Sequence, residues 1–82
     1  MRQPKNIMEI RDNEGRSFDR YTIVLNDMGN KLHDCLGLSE NPAHPQGFSQ
    51  FSPCIPGDHL GKAIKWTDLS KDLQKHVIDR LK

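Results

Sequence analysis

Two cysteines and two of the four histidines set the first chemical question, because thiolate sulfur and imidazole nitrogen are the side-chain atoms that bind zinc and drive nucleophilic catalysis. His33-x-Cys35 and Cys54-x4-His59 are the two clusters. On a strand His33 and Cys35 share one face, which suits coordination of a common ion. The spacing matches neither paired C-x2-4-C nor H-x3-5-H, so His33, Cys35, Cys54 and His59 are a weak metal set and no cofactor is expected. Cys35 as a small buried hydrophobe is the plainer reading. Cys54 or Cys35 with Asp58 and His59 has the residue types of an activated thiol. Asp58 and His59 are sequence neighbours, and no oxyanion-binding motif accompanies them, so an enzyme is not expected.

Both cysteines lie in "CLGLSENPAHPQGFSQFSPCIPGDHLG", Cys35 to Gly61, which also holds four of the five prolines and two of the three phenylalanines. Residues 39–61 read as a long Pro-rich loop, since Pro42, Pro45, Pro53 and Pro56 exclude a continuous helix and an interior strand. Loops of this length are usually functional or otherwise poorly ordered. Prolines also lower the entropy of the free chain, so an ordered display loop costs less to hold. An interface rests on a few anchors, often aromatic. Phe48 or Phe51 is the expected anchor, with His44 and Gln46 as adaptable polar contacts. The competing role for each ring is a lid folded back on the sheet.

The elements that must carry this loop follow from periodicity. "NIMEIR", "NEG" and "RSFDRYTIVLND" read as a β-hairpin turning at Asn13-Glu14-Gly15. Tyr21, Ile23 and Leu25 fall on one face of its second arm. "NDMGN" is a second turn signal, and "KLHDCLGL" a third strand with Leu32, Leu36 and Leu38 on one side. "KAIKW" supplies a short edge strand. Leu69, Leu73, Val77 and Leu81 recur at helical spacing, with Ser70 as N-cap and Asp72 in the first turn. The expectation is a single α+β domain over 1–82. It has a three- or four-stranded antiparallel meander and one C-terminal helix, about Lys71 to Leu81, packed across it.

Charge narrows the partners. The net charge is +1, with 28% charged and 34% hydrophobic residues, so no bulk field draws the chain to nucleic acid or an anionic membrane. The distribution is uneven: residues 21–60 carry one basic against four acidic side chains, and residues 61–82 carry six basic against three acidic. Lys71, Lys75 and Lys82 form a stripe away from the expected core, the candidate nucleic-acid face. Its bases would stack on Phe48, Phe51 or Trp66. No G-x-G-x-x-G or Walker pattern occurs. No apolar run reaches the roughly 20 residues that span a bilayer. "MRQPKNIMEI" lacks the features of a signal segment, so a cytoplasmic location with free thiols is expected.

"DRYTIVL", "CLGLSENPAHPQGF", "HLGKAIKW" and "DLSKDLQKHVIDRL" together resemble stretches in small proteins of unknown function encoded by bacteriophages and prophages. The likeness covers residues 18–81 and rests mainly on "HPQGF" and "HLGK". It carries no activity, cofactor or site residue. It implies a protein made inside a bacterial host and an accessory role on a host protein, inhibition of a host system among them. The reading that follows is a non-catalytic binding module for a protein partner, with nucleic-acid binding second and a thiol- or zinc-dependent enzyme third.

Overall fold

The computed structural model describes every residue except Phe18, Ala43, Pro45 and Gln46. Five strands form one antiparallel sheet: β1 (Glu9–Asp12), β2 (Tyr21–Gly29), β3 (Leu32–Leu38), β4 (Ser49–Cys54) and β5 (Lys62–Ile64). Among the described residues there is one α-helix, α1 (Lys71–Arg80), close to the C-terminus. The sheet order is β4-β3-β2-β1-β5, so β1 to β4 make a meander and β5 returns to the outer side of β1.

The first hairpin forms because polar side chains hold its turn. Asp12 Oδ1 accepts the Glu14 N–H at 2.8 Å, and Asn13 Oδ1 accepts those of Gly15 and Arg16 at 2.9 and 3.1 Å. Glu14 and Gly15 take positive φ of 60° and 88°. The second turn lies further on than the sequence suggested. β2 runs on to Gly29, with register shifts after Val24 and Asp27, and the reversal falls at Asn30-Lys31. Both of those residues have positive φ, 54° and 66°, as a two-residue hairpin loop of the favoured hand requires. The polar residues Asn26 and Asp27 are tolerated in the strand because they lie on its exposed, bulged end.

The segment 39–61 is not the structureless loop expected. Ser49 to Cys54 pair with β3, and Asp58–Leu60 form a 3-10 turn. Pro53 is compatible with this strand because β4 lies at the edge of the sheet. The sheet therefore has five strands rather than three or four.

One core joins sheet to helix. Ile10, Tyr21, Ile23, Leu25, Leu36 and Leu38 meet Trp66, Leu69, Leu73 and Val77, all buried. Burying an aliphatic side chain of this size contributes about 1.5–3 kcal/mol. Leu81, expected to be buried, is only half-buried against the cluster because α1 ends at Arg80. The N-cap is Ser70, whose hydroxyl accepts the Leu73 N–H at 3.2 Å. Trp66 is pinned twice: its Nε1–H donates to the Met1 carbonyl at 2.8 Å, and its own carbonyl accepts from Gln74 Nε2 at 2.9 Å. Among the described residues no helix is long and apolar enough to cross a membrane.

Candidate functional site

Cys54 and Phe51 lie on β4, with His44 and Phe48 on the chain leading into it, but not in the chemistry first considered. Cys35 on β3 and Cys54 on β4 are joined by a disulfide, with their Cα atoms 6.1 Å apart. The expectation of free thiols is therefore corrected. The reason is register: Cys54 sits opposite His33, two positions along from Cys35 and on the same face of the sheet. The bridge consumes both thiolates of the weak metal set. His33 turns its Nδ1–H to the Leu25 carbonyl at 3.1 Å, and His59 lies exposed in the 3-10 turn. Among the described residues no group of three or more His, Cys, Asp or Glu side chains is gathered to hold a metal ion.

Two backbone bonds link described residues on the way to β4. His44 N–H donates to the Asn41 carbonyl at 3.1 Å, and Gly47 N–H to that of His44 at 2.8 Å. His44 is exposed and lines an open depression of about 600 Å3 with Arg16, Arg20, Ser39 and Glu40. Gln46 lies outside the described residues. Phe48 is half-buried, and its N–H donates to Ser39 Oγ at 2.9 Å.

Phe51 is different. Its side chain points to the helix side of the sheet, by its pairing with the buried Leu36, yet the residue is 39% exposed. The Arg80 guanidinium lies 4.9 Å from its ring centroid, within cation–π range. Arg80 makes no ion pair among the described residues.

The pairing of β4 also fixes what its outer edge offers. Ser39 N–H donates to the Phe48 carbonyl at 3.0 Å, which makes 39 and 48 a hydrogen-bonded pair in the β3–β4 register. Such pairs alternate along an antiparallel ladder. Gln50, Ser52 and Cys54 therefore turn their backbone groups to β3, while Ser49, Phe51 and Pro53 turn theirs outward. The open edge presents the N–H of Ser49 and Phe51 and the carbonyls of Ser49, Phe51 and Pro53. Pro53 has no N–H to add.

Two further features escaped sequence reasoning. His76 Nε2 lies 3.0 Å from Ser49 Oγ, tying α1 to β4. Burial, with Arg80 adding to it, holds the His76 pKa below the ordinary imidazole value. No carboxylate bonds Nδ1 among the described residues, so the pair lacks the third member that orients a catalytic imidazole. The spacing of four puts His76 and Arg80 on one helix face, but only the structure brings that face to β4. The second feature is an ion network at the opening hairpin. Arg20 Nε and Nη2 donate to Asp12 Oδ1 and Oδ2 at 2.9 and 3.2 Å, and its Nη1 to Glu40 at 2.8 Å. The Arg20 guanidinium holds the Asp12 carboxyl below the usual carboxylate range.

Lys71, Lys75 and Lys82 are all exposed, Lys82 beyond the end of α1. Lys82 pairs with Asp79 at 3.8 Å, and Asp72 is exposed among them. Trp66 is buried and has no face for a base. No protein family, no curated protein and no solved structure matches this chain.

Proposed function

We propose that this chain is a small non-catalytic binding module that takes a protein partner on the segment 39–58, with Phe51 as its anchor. The observation that carries the reading is the Phe51 ring, left 39% exposed on an open edge strand that holds no charged residue. An aromatic in such a place supplies contact area at low entropic cost, and Arg80 stiffens it further. Ile55, 54% exposed one residue beyond the strand, extends the apolar surface. His44 adds a polar contact at the entrance to the strand. The resemblance to phage-encoded proteins makes the partner a protein of the bacterial host.

The test is capture of proteins from a nuclease-treated bacterial lysate, wild type beside Phe51→Ala and Lys71→Glu/Lys75→Glu. Phe51→Ala should stay folded at a cost of about 1–3 kcal/mol, because the ring is only partly buried, and its melt is checked first. It should also lose the captured partner. The lysine variant should keep it. A folded Phe51→Ala that captures the same protein as wild type removes the reading. Loss in the lysine variant alone, with a steep salt dependence, promotes nucleic-acid binding.

The cytoplasmic location belongs to the same proposal and stands against the disulfide, since the cytosol keeps thiols reduced. Alkylation of free thiols at the moment of cell lysis decides between them.

A further inference from the structure

We infer that the partner binds by adding a strand to the outer edge of β4, with an acidic side chain on the helix side reaching Arg80. This rests on the binding reading above and names its mode and the chemistry of its occupant.

The backbone inventory is the first ground. Ser49 and Phe51 each present an unpaired N–H and carbonyl to one side of the sheet, and Pro53 presents a carbonyl. An extended segment that joins an open edge is held by such groups, while its alternate side chains read the neighbouring surface. The strand is six residues long and carries no charge to repel a neighbour.

Charge decides which segment fits. Side chains of β4 that point to the helix side are Ser49, Phe51 and Pro53. Above them stand His76 and Arg80, and Arg80 has no carboxylate partner among the described residues. A second copy pairing through its own SQFSPC brings no carboxylate to this rim and places a second Arg80 beside the first. A partner strand with Asp or Glu on that face does supply one, and an arginine–carboxylate bond is among the stronger hydrogen bonds. The occupant is therefore an acidic extended segment of another protein.

The experiment uses the full chain and a blocked seven-residue peptide of alternating valine and threonine with one central glutamate, followed by NMR. The amides of Ser49 and Phe51 should shift and become protected from exchange, while Ala63 on the opposite edge does not change. A peptide with lysine in place of glutamate should bind about threefold more weakly or worse. Ser49→Pro removes one outward N–H without touching the ladder to β3, and should abolish binding; Ser49→Ala should retain it. If Ser49→Pro melts early, the wild-type exchange pattern carries the test alone. Three results overturn the inference: no binding at millimolar peptide, protection at Ala63 instead, or equal binding by a folded Ser49→Pro. A dimer in sedimentation that Ser49→Pro dissolves also overturns it, in favour of a second copy. Phe51→Ala separates this inference from the reading beneath it. Loss of the captured partner in Phe51→Ala but not in Ser49→Pro keeps the anchor and removes strand addition.

Discussion

The two edges of the sheet are built to different ends. β4 is six residues long and uncharged, and turns two N–H groups and three carbonyls outward. β5 is three residues long, with Lys62 in it and Lys65 just beyond. The same alternation applied to β1 leaves only Ala63 facing outward, because Asn13 N–H bonds Arg20 and thereby turns Ile10 and Asp12 to β5. Short length and flanking lysines are devices that keep an edge from recruiting strands. β5 has both and β4 has neither. β4 carries instead a disulfide to β3 and a hydrogen bond to α1, which hold its register while its outer side stays open. One edge is closed by composition, and the other is braced from within.

The largest effect should come from removing that brace. The bridge spans 19 residues of sequence, and a loop of that size contributes about 3 kcal/mol in the chain-entropy account. Reduction with dithiothreitol, or Cys35→Ala with Cys54→Ala, should lower the stability measured by urea denaturation by about that amount. Hydrogen exchange should locate the change. The β3-facing amides of Gln50 and Ser52 should lose protection first, and those of β5 should follow only global unfolding. Equal loss at both edges would mean that the bridge steadies the whole domain and not β4 in particular.

The converse variant attacks the closed edge. Gly61, which leads into β5, has φ of +107°, and a Cβ there would collide with the Asp12 carbonyl. Its own carbonyl accepts from Arg11 Nη1 at 3.1 Å, fastening the start of the strand to β1. Gly61→Ala should cost about 1–3 kcal/mol through backbone strain. Exchange should rise at Ile10 and Asp12, which face β5, with Gln50 and Ser52 unchanged. Early loss at Gln50 and Ser52 in this variant would show that the edges are coupled, and the contrast would fall.

Periodicity made the helix and the central strands legible. Leu73 and Val77 at helical spacing, and Tyr21, Ile23 and Leu25 at spacing two, reach the same core from opposite sides. What stayed hidden was β4. "SQFSPC" carries one large apolar residue, so burial leaves no alternation to read, and Pro53 argues against a strand unless the edge position is already known. Strand pairing across ten residues of intervening chain is non-local, and so is the disulfide that depends on it. Spacing alone could not pair Cys35 with Cys54. The extent of β2 was hidden for a related reason. Asn26, Asp27 and Gly29 have the chemistry of a turn, but the bulges place them in an exposed strand end and leave the reversal to Asn30 and Lys31. Of the residues chosen as binding contacts, Phe51 stands out only once its edge position is seen. Phe48 has the same composition signal and is half-buried.

The smallest expected effect is a pH dependence confined to the braced edge. His76 joins α1 to Ser49 at 3.0 Å, and burial, with Arg80 nearby, lowers its pKa below the ordinary value of 6.5. The unfolded chain then takes up its proton at a higher pH than the folded one. The contribution of His76 to stability is full above about pH 6.5 and declines as pH falls from there through the lower folded-state value. β5 contains no imidazole, so the decline should appear in the exchange of Gln50 and Ser52 before that of Ile10 and Asp12. The chain holds three other histidines, His33, His44 and His59, so the measurement is a difference between variant and wild type. His76→Gln keeps a hydrogen-bonding group beside Ser49 and removes the titration. Between pH 7.5 and 5 the variant should lose less stability than wild type in parallel urea titrations. Parallel profiles would show that His76 is not the group through which pH acts on β4.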